Sequence, residues 1–238
     1  MIDLLDGRAV HARGGRRSEY MPLESAAGAP IGGDPLALAR VYVQRLGLQE
    51  IYIADLDAIA GRAPHEALVA TIAGLGGSIW LDAGASSVAD ASRALASGAS
   101  RVIVGLETLR SFHQLHAITS AVGSERVAFS LDLRGDLPIF APDADIAIRS
   151  PVELAVAIVE AGVNALIVLD LERVGTGAGI EATLLATLRE AVPDVLLFAG
   201  GGVCGPDDLS RLVEVGCDGA LVATALQNGA IDPKALRQ

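Results

Sequence analysis

Five apolar runs in this 238-residue chain each stop at a carboxylate. "MIDLLDG" carries Asp3, "IYIADLD" (51–57) Asp55, "SIWLDAG" (78–84) Asp82, "FSLDLRG" (129–135) Asp132 and "LIVLDLE" (166–172) Asp170. A carboxyl group with a buried strand beneath it and a loop above it loses part of its water. Desolvation raises its pKa and suits it to give or take a proton near neutrality. Five such groups cannot all serve one substrate. Several are expected to cap helices or tie loops, which aspartate does readily through local hydrogen bonds. Which of them act together depends on the elements that hold them.

Those elements alternate along the whole chain. Apolar, β-branched runs predict strands near 1–5, 50–55, 78–82, 101–105, 127–132, 164–170, 195–200 and 219–223. Helical periodicity fills the gaps at 34–46, 64–73, 87–97, 110–121, 150–161, 181–191 and 206–215, with a short last helix near 232–237. The strands are continuously apolar, as expected when both faces of a parallel sheet are covered. Eight βα units with no linker or low-complexity tract predict an α/β fold, a single (β/α)8 TIM barrel spanning 1–238, a usual length for that fold. There is also an internal echo. "GASSVADASRALASGASRVIVG" (84–105) matches "GVCGPDDLSRLVEVGCDGALVA" (202–223) in glycines, apolar positions and Asp90/Asp208, with Gly84 to Gly202 and Gly98 to Gly216 both 118 residues apart. "ADLD" (54–57) and "LDLE" (169–172) echo at the similar offset of 115. Two half-barrels explain this, and they predict two related binding sites facing each other across the mouth.

In this fold chemistry sits at the C-terminal ends of the strands. Asp3 is expected to end the first strand and Asp132 the fifth, four strands apart, so that they face each other and can act on opposite sides of one small molecule. Asp55 and Asp170 fit the structural role better.

Composition narrows the partners. Net charge is −11, with 29 acids against 18 bases, which disfavours nonspecific nucleic-acid binding. Aromatics are only 3% of residues, too few for a base-stacking platform. A chain of this length buries enough surface to fold without disulfides or metals. Cys204 and Cys217 are therefore expected as reduced thiols. With no apolar run long enough to span a membrane and no signal-like opening, a cytoplasmic location is expected. Lys234 is the only lysine, leaving Schiff-base chemistry to that distant residue alone.

The glycine-rich turns are candidates for an anion. "AGGGV" (199–203) leaves Gly201 and Gly202 bare before a helix starting near Pro206, so backbone N–H groups can point at a phosphate. Ala223 and Thr224 lie at the end of the eighth strand, on the same site. In the other half, Gly84 and Ser86 lead into a helix and Gly105 ends the companion strand. Tight turns and N-caps need the same residues, so both readings stand. The loop "ARGGRRSEY" (12–20), with Arg13, Arg16 and Arg17, either closes over an anionic substrate or is solvated. His11 is on an early strand or loop, facing substrate or packed. His65, His113 and His116 are expected on helices behind the barrel, with no metal-ligand set among the histidines. No histidine neighbours Cys204 to activate it.

Together "IDLLDGRAV" (2–10), "ADLDA" (54–58), "RVIVG" (101–105), "SLDLR" (130–134), "GTGAG" (175–179), "AGGGV" (199–203) and "GALVATAL" (219–226) resemble the histidine-biosynthesis barrels. These are the ProFAR isomerase (HisA) family and its sister, the cyclase subunit of imidazole-glycerol-phosphate synthase. The resemblance implies an Amadori-type rearrangement of an aminoaldose to an aminoketose, with Asp3 as general base at C2 and Asp132 as general acid at the ring oxygen. It implies no cofactor or metal and a small metabolite with a phosphate at each end. Some of the pattern departs. Leu169 and Val174 stand where the family has a threonine and an aspartate, although Gly175 and Thr176 remain. Asp82-Ala83-Gly84-Ala85-Ser86 replaces Gly-Gly-Gly-Ile-Arg, Leu106 replaces a threonine and Ala223 a glycine. Both aspartates remain while recognition groups change. The expected function is therefore a divergent paralogue acting on another phosphorylated aminoaldose. The alternatives are a ProFAR isomerase of histidine biosynthesis, a protein of methanopterin-type cofactor biosynthesis, and a non-catalytic metabolite-binding barrel. A monomer or small homo-oligomer is expected in each case.

Overall fold

The computed structural model describes residues 1–148, 150–178 and 181–233. Eight parallel strands curl into a (β/α)8 barrel: β1 Ile2–Leu5, β2 Glu50–Asp55, β3 Ser78–Asp82, β4 Arg101–Gly105, β5 Val127–Arg134, β6 Ala165–Asp170, β7 Leu196–Gly200 and β8 Gly219–Leu221. They pair in sequence order from β1 to β8. The seam between the last and first strands is bridged by the Met1 amine, which donates to the Val222 carbonyl at 3.0 Å. Around the sheet run α1 Pro35–Arg40, α2 Glu66–Ala73, α3 Val88–Ala96, α4 Phe112–Val122, α5 Pro151–Glu160, α6 Ala182–Ala191, α7 Pro206–Glu214 and the short α8 Thr224–Gln227. Their N-termini follow sequence chemistry. Asp34, Ser87, Ser111 and Ser150 accept backbone N–H groups of the first turns of α1, α3, α4 and α5. Pro35, Pro151 and Pro206 take the first helical position, where no N–H is needed. The short helix expected near 232–237, with Lys234, lies largely outside the described residues, and Gly179 of the "GTGAG" stretch lies outside them too.

Strand alternation divides the core in two. Ile2, Leu4, Ile51, Ile53, Ile79, Leu81, Leu131, Leu166 and Val168 face the helices. Tyr52, Trp80, Ile103, Ala128 and Ile167 fill the barrel interior. Trp80 meets Phe198 edge-on at 4.9 Å, so the interior is a packed plug and not a pore.

β1 keeps the expected span and β5 runs two residues further, and both continue past the aspartates expected to end them. β1 continues past Asp3 into a hairpin with Arg8–His11, and β5 continues past Asp132 into a hairpin with Leu137–Pro138. Both aspartates thus sit inside ladders and not at strand ends, because the chain stays extended above the barrel rim and finds a new antiparallel partner there. Asp3 pairs with Ala54 on one side and Val10 on the other, and Asp132 pairs with Leu169.

Candidate active site

The two-residue period sorts the aspartates. Asp3 lies between outward-facing Ile2 and Leu4, Asp82 follows outward-facing Leu81, and Asp132 lies between Leu131 and Leu133. All three therefore point into the barrel mouth. Asp55 shares the parity of Ile51 and Ile53, and Asp170 that of Leu166 and Val168, so these two point outward. Asp55 accepts the N–H groups of Ala58 and His65 and a bond with the His65 ring at 3.1 Å. Asp170 accepts the Glu172 N–H and pairs with Arg173 at 3.0 Å. Both tie loops.

The inward aspartates line one cavity of about 50 Å³ with Tyr52, Arg17, Glu107, Leu169 and Val174. Each is nearly sealed from solvent. Burial raises Asp3 to about 6, against the N-terminal amine and Arg17. Burial is also the main cause lifting Asp132 to about 7, opposed by the hydrogen bond Ser130 Oγ donates at 2.6 Å and helped by the charge of Asp82. Asp82 is likewise lifted by burial to about 7, opposed by the N–H of Gly84 and the hydroxyl of Tyr52. Three carboxylates able to exchange protons near neutrality thus share one space. Nothing in its local sequence sets Asp82 apart from the other strand-end aspartates. Strand parity is the signal that could have marked it, together with the repeat, in which Gly200 occupies the equivalent position.

Loop 12–20 covers this space. Arg17 Nη2 reaches Glu107 Oε1 at 2.7 Å across the mouth. Ala12 and Tyr20 pack on Leu169, Leu171 and Val174, and Gly14 N–H donates to the Val174 carbonyl at 2.8 Å. The crossing is so close that a Cβ at Gly175 would collide with the Ala12 carbonyl. Apolar Leu169 and Val174 therefore have a physical role: they seat the loop. Arg13 and Arg16 do not line this cavity, and Arg16 pairs with Glu19 on the surface.

The anion candidates divide. Gly201 and Gly202, with φ of +90° and +98°, line a second cavity of about 90 Å³ with Gly175, Gly177, Ala223 and Thr224, and among the described residues no carboxylate lines it. His11 lies against it, its Nε2 3.1 Å from Thr224 Oγ1. Burial, and then Arg13, hold the pKa of His11 below the ordinary histidine value. Thr176 turns into its own loop, donating to the Arg173 carbonyl at 2.8 Å. In the other half, Gly84 N–H is given to Asp82, and both the N–H and the hydroxyl of Ser86 are given to Asp90. Gly105 lies between Asp82 and Asp132, where a Cβ would stand 3.8 Å from Asp132 Oδ2 and 3.9 Å from Asp82 Oδ2.

His65 is not behind the barrel as expected. It is the N-cap of α2, at the mouth end, within reach of Asp55 and Asp57. These three groups approach one another closely enough to hold an ion. Asp57 is already bound by Arg62 and accepts the Asp6 N–H at 2.7 Å, so the cluster is satisfied by the chain itself. Cys204 donates its thiol to Asp208 at 2.9 Å, and that bond raises its pKa, which leaves it a poor nucleophile.

A family model described as "Histidine biosynthesis protein" matches residues 1–232. Two relatives carry the name 1-(5-phosphoribosyl)-5-((5-phosphoribosylamino)methylideneamino)imidazole-4-carboxamide isomerase, the ProFAR isomerase. The chain is 33% identical to one from Thermus thermophilus, over 97% of this chain and 94% of the relative. It is 31% identical to one from Deinococcus radiodurans, over 97% and 93%. An uncharacterized protein of Methanocaldococcus jannaschii is 29% identical over 98% of this chain and 93% of its own length.

Proposed function

The chain belongs to the histidine biosynthesis protein family, and on that premise we propose that this isomerase converts ProFAR, a bis-phosphorylated aminoaldose, to its aminoketose. What supports the reading most is the joint presence of Asp3 and Asp132 on one cavity at the barrel mouth in a chain about a third identical, over nearly its whole length, to proteins named for that reaction. Those relatives favour this substrate over the divergent-paralogue reading expected from the sequence alone.

Asp132, protonated, gives its proton to the ring oxygen as the C1–O bond opens, leaving an iminium between C1 and nitrogen. Asp3, ionised, takes the proton from C2. The electrons of that C–H bond form the enolamine and neutralise the nitrogen. The enol then loses its O–H proton as C1 gains one, and the aminoketose results. With the base near 6 and the acid near 7, both are in the required form over the same narrow pH range. The cavity at Gly201, Gly202, Ala223 and Thr224 is the proposed seat of one phosphate, at the strand 7–8 position that barrels of this kind often use. Gly84, Ser86 and Gly105 are the proposed region of a weaker contact with the other, since the Gly84 N–H and the Ser86 N–H and hydroxyl are already given to Asp82 and Asp90, and Thr176 is a proposed loop contact. Leu169 and Val174 favour a second reading, an isomerase of a related phosphorylated aminoaldose, because they line the mouth as apolar groups.

The assay supplies purified protein with ProFAR and follows aminoketose formation beside an authentic isomerase. Turnover within about tenfold of that control is expected. A folded protein that leaves ProFAR unchanged overturns the substrate assignment and leaves the second reading.

A further inference from the structure

Asp82 has no place in the two-carboxylate scheme, yet it is the last residue of β3 and lines the same cavity as the acid. Its Oδ1 accepts the Gly84 N–H at 3.1 Å and its Oδ2 the Tyr52 hydroxyl at 3.2 Å. Asp132 on β5 is arranged the same way, with Oδ1 held by Ser130 at 2.6 Å. Between the two runs β4, whose inward residue at this level is Gly105. The missing side chain leaves a gap, and the Oδ2 atoms of both carboxylates border it, 3.9 Å and 3.8 Å from where a Cβ would stand. No ion pair among the described residues includes either group. Two desolvated carboxylates facing one gap cannot both ionise cheaply, and a proton held between them relieves the conflict.

We propose that Asp82 and Asp132, which border the Gly105 gap together, titrate as a coupled pair that keeps one proton on one carboxyl or the other, and that Asp82 is thereby a positioning residue for the acid step. This rests on the reading of Asp132 as the acid. When the ring C–O bond breaks, the pair's proton goes to the ring oxygen and both carboxylates are left ionised; before the next turnover solvent returns one proton to the pair and takes from Asp3 the one it drew from C2. The other charged or titratable groups around Asp132 are Asp3 on β1, Arg17 and Tyr20 on the loop, Tyr52 on β2 and Glu107 after β4. Glu107 and Arg17 act on Asp132 in opposite senses and are paired with each other. β6 contributes Leu169, β7 Gly200 and β8 Leu221, none of which titrates. Of the neighbouring charges that favour a proton on Asp132, Asp82 acts the more strongly and Glu107 is offset by its own pairing with Arg17.

The test is a pH titration of the side-chain carboxyl carbons in full-length protein labelled with 13C-aspartate, with D132N used to assign its signal. In D82N the midpoint of Asp132 is expected to fall by about one unit or more, the coupling above which two groups titrate as a pair. Y52F removes a bond that favours ionised Asp82, draws the proton toward Asp82, and is expected to shift Asp132 the same way by less. In the isomerase assay the alkaline limb of D82N moves to lower pH with KM held, whereas a purely structural Asp82 would lower kcat evenly at every pH. An Asp132 midpoint that stays put in folded D82N, or in Y52F if D82N does not fold, overturns the pair. Absence of turnover in the wild type would instead count against the function reading, and the titration still decides this one.

Discussion

After β3 the chain runs Asp82-Ala83-Gly84-Ala85-Ser86 into α3, and after β7 it runs Gly200-Gly201-Gly202-Val203-Cys204 into α7. The repeat relates these turns residue by residue, and both keep the same scaffolding contacts. Asp90 accepts the N–H and the hydroxyl of Ser86, while Asp208, its counterpart, accepts the N–H and the thiol of Cys204. What differs is the residue aimed into the barrel. The first turn offers a buried carboxylate flanked by Tyr52, and the second offers glycine with a cavity free of acids above it. The same fold of chain thus suits proton transfer in one half and an anion in the other, separated by charge at a single equivalent position.

That division breaks most visibly at the acid. Asp132→Asn, and Asp3→Asn for the base, should each lower kcat about 10²–10⁴-fold, the usual contribution of a positioned acid or base. In the wild type, kcat/KM should rise as Asp3 ionises near 6 and fall as Asp132 loses its proton near 7. A flat profile between pH 5 and 8, measured with ProFAR, would remove both assignments.

The second expectation concerns stability in the acidic half. Asp82 has a folded pKa of about 7 against an ordinary 3.8. Its protonation favours the fold, so the stability it contributes is present below about pH 4 and lost as pH rises through 7. Asp82→Asn should relieve this, with a gain in stability at pH 8 and almost none at pH 4. Denaturant unfolding at the two pH values checks it, and an equal effect at both would place the group outside the low-dielectric mouth.

A smaller effect sharpens the contrast between glycines. Gly202→Ala forces an L-residue to φ near +98° beside the open cavity and should weaken inorganic phosphate binding, with strain of roughly 1–3 kcal/mol. Gly84→Ala instead drives a Cβ to 2.9 Å from the Ile59 Cα, and should lower stability with little change in phosphate titration. The reverse pattern would exchange the roles of the two halves. Smallest are Asp90→Ala and Asp208→Ala, which each remove a carboxylate tying a helix entrance and should lower stability alike by about 1 kcal/mol. A marked inequality in thermal unfolding would show that the repeat no longer uses them equivalently.

Much of this was legible in the amino-acid order. The eight strands announce themselves because helices cover one face and the barrel interior the other, so apolar residues run almost without break, as in "VIV" (102–104) and "ALIVL" (165–169). Asp3 and Asp132 could be chosen because their place in the barrel order sets them opposite each other. The hairpins that carry β1 and β5 past them were not legible, since their second strands, Arg8–His11 and Leu137–Pro138, are too short to show a strand pattern. The roles of Leu169 and Val174 were hidden for a different reason. Their partners Ala12 and Tyr20 are some 150 residues away, and only the closed barrel brings them together. His65 was misplaced by a helix boundary that begins one residue after it.

The continuation of β1 and β5 above the rim has one more consequence. Beneath those hairpins each proposed acid–base carboxylate is also held by the parallel ladders of the barrel itself, Asp3 against Ala54 and Asp132 against Leu169, which the connecting loops do not form. The groups that recognise a substrate lie on those loops, on separate stretches of chain. Exchange, lengthening or point change in the loops can therefore alter which metabolite enters while the proton-transfer geometry stays intact. In evolutionary terms the chemistry is heritable as one module and the choice of substrate as another, so a lineage can change its pathway without first losing its catalyst.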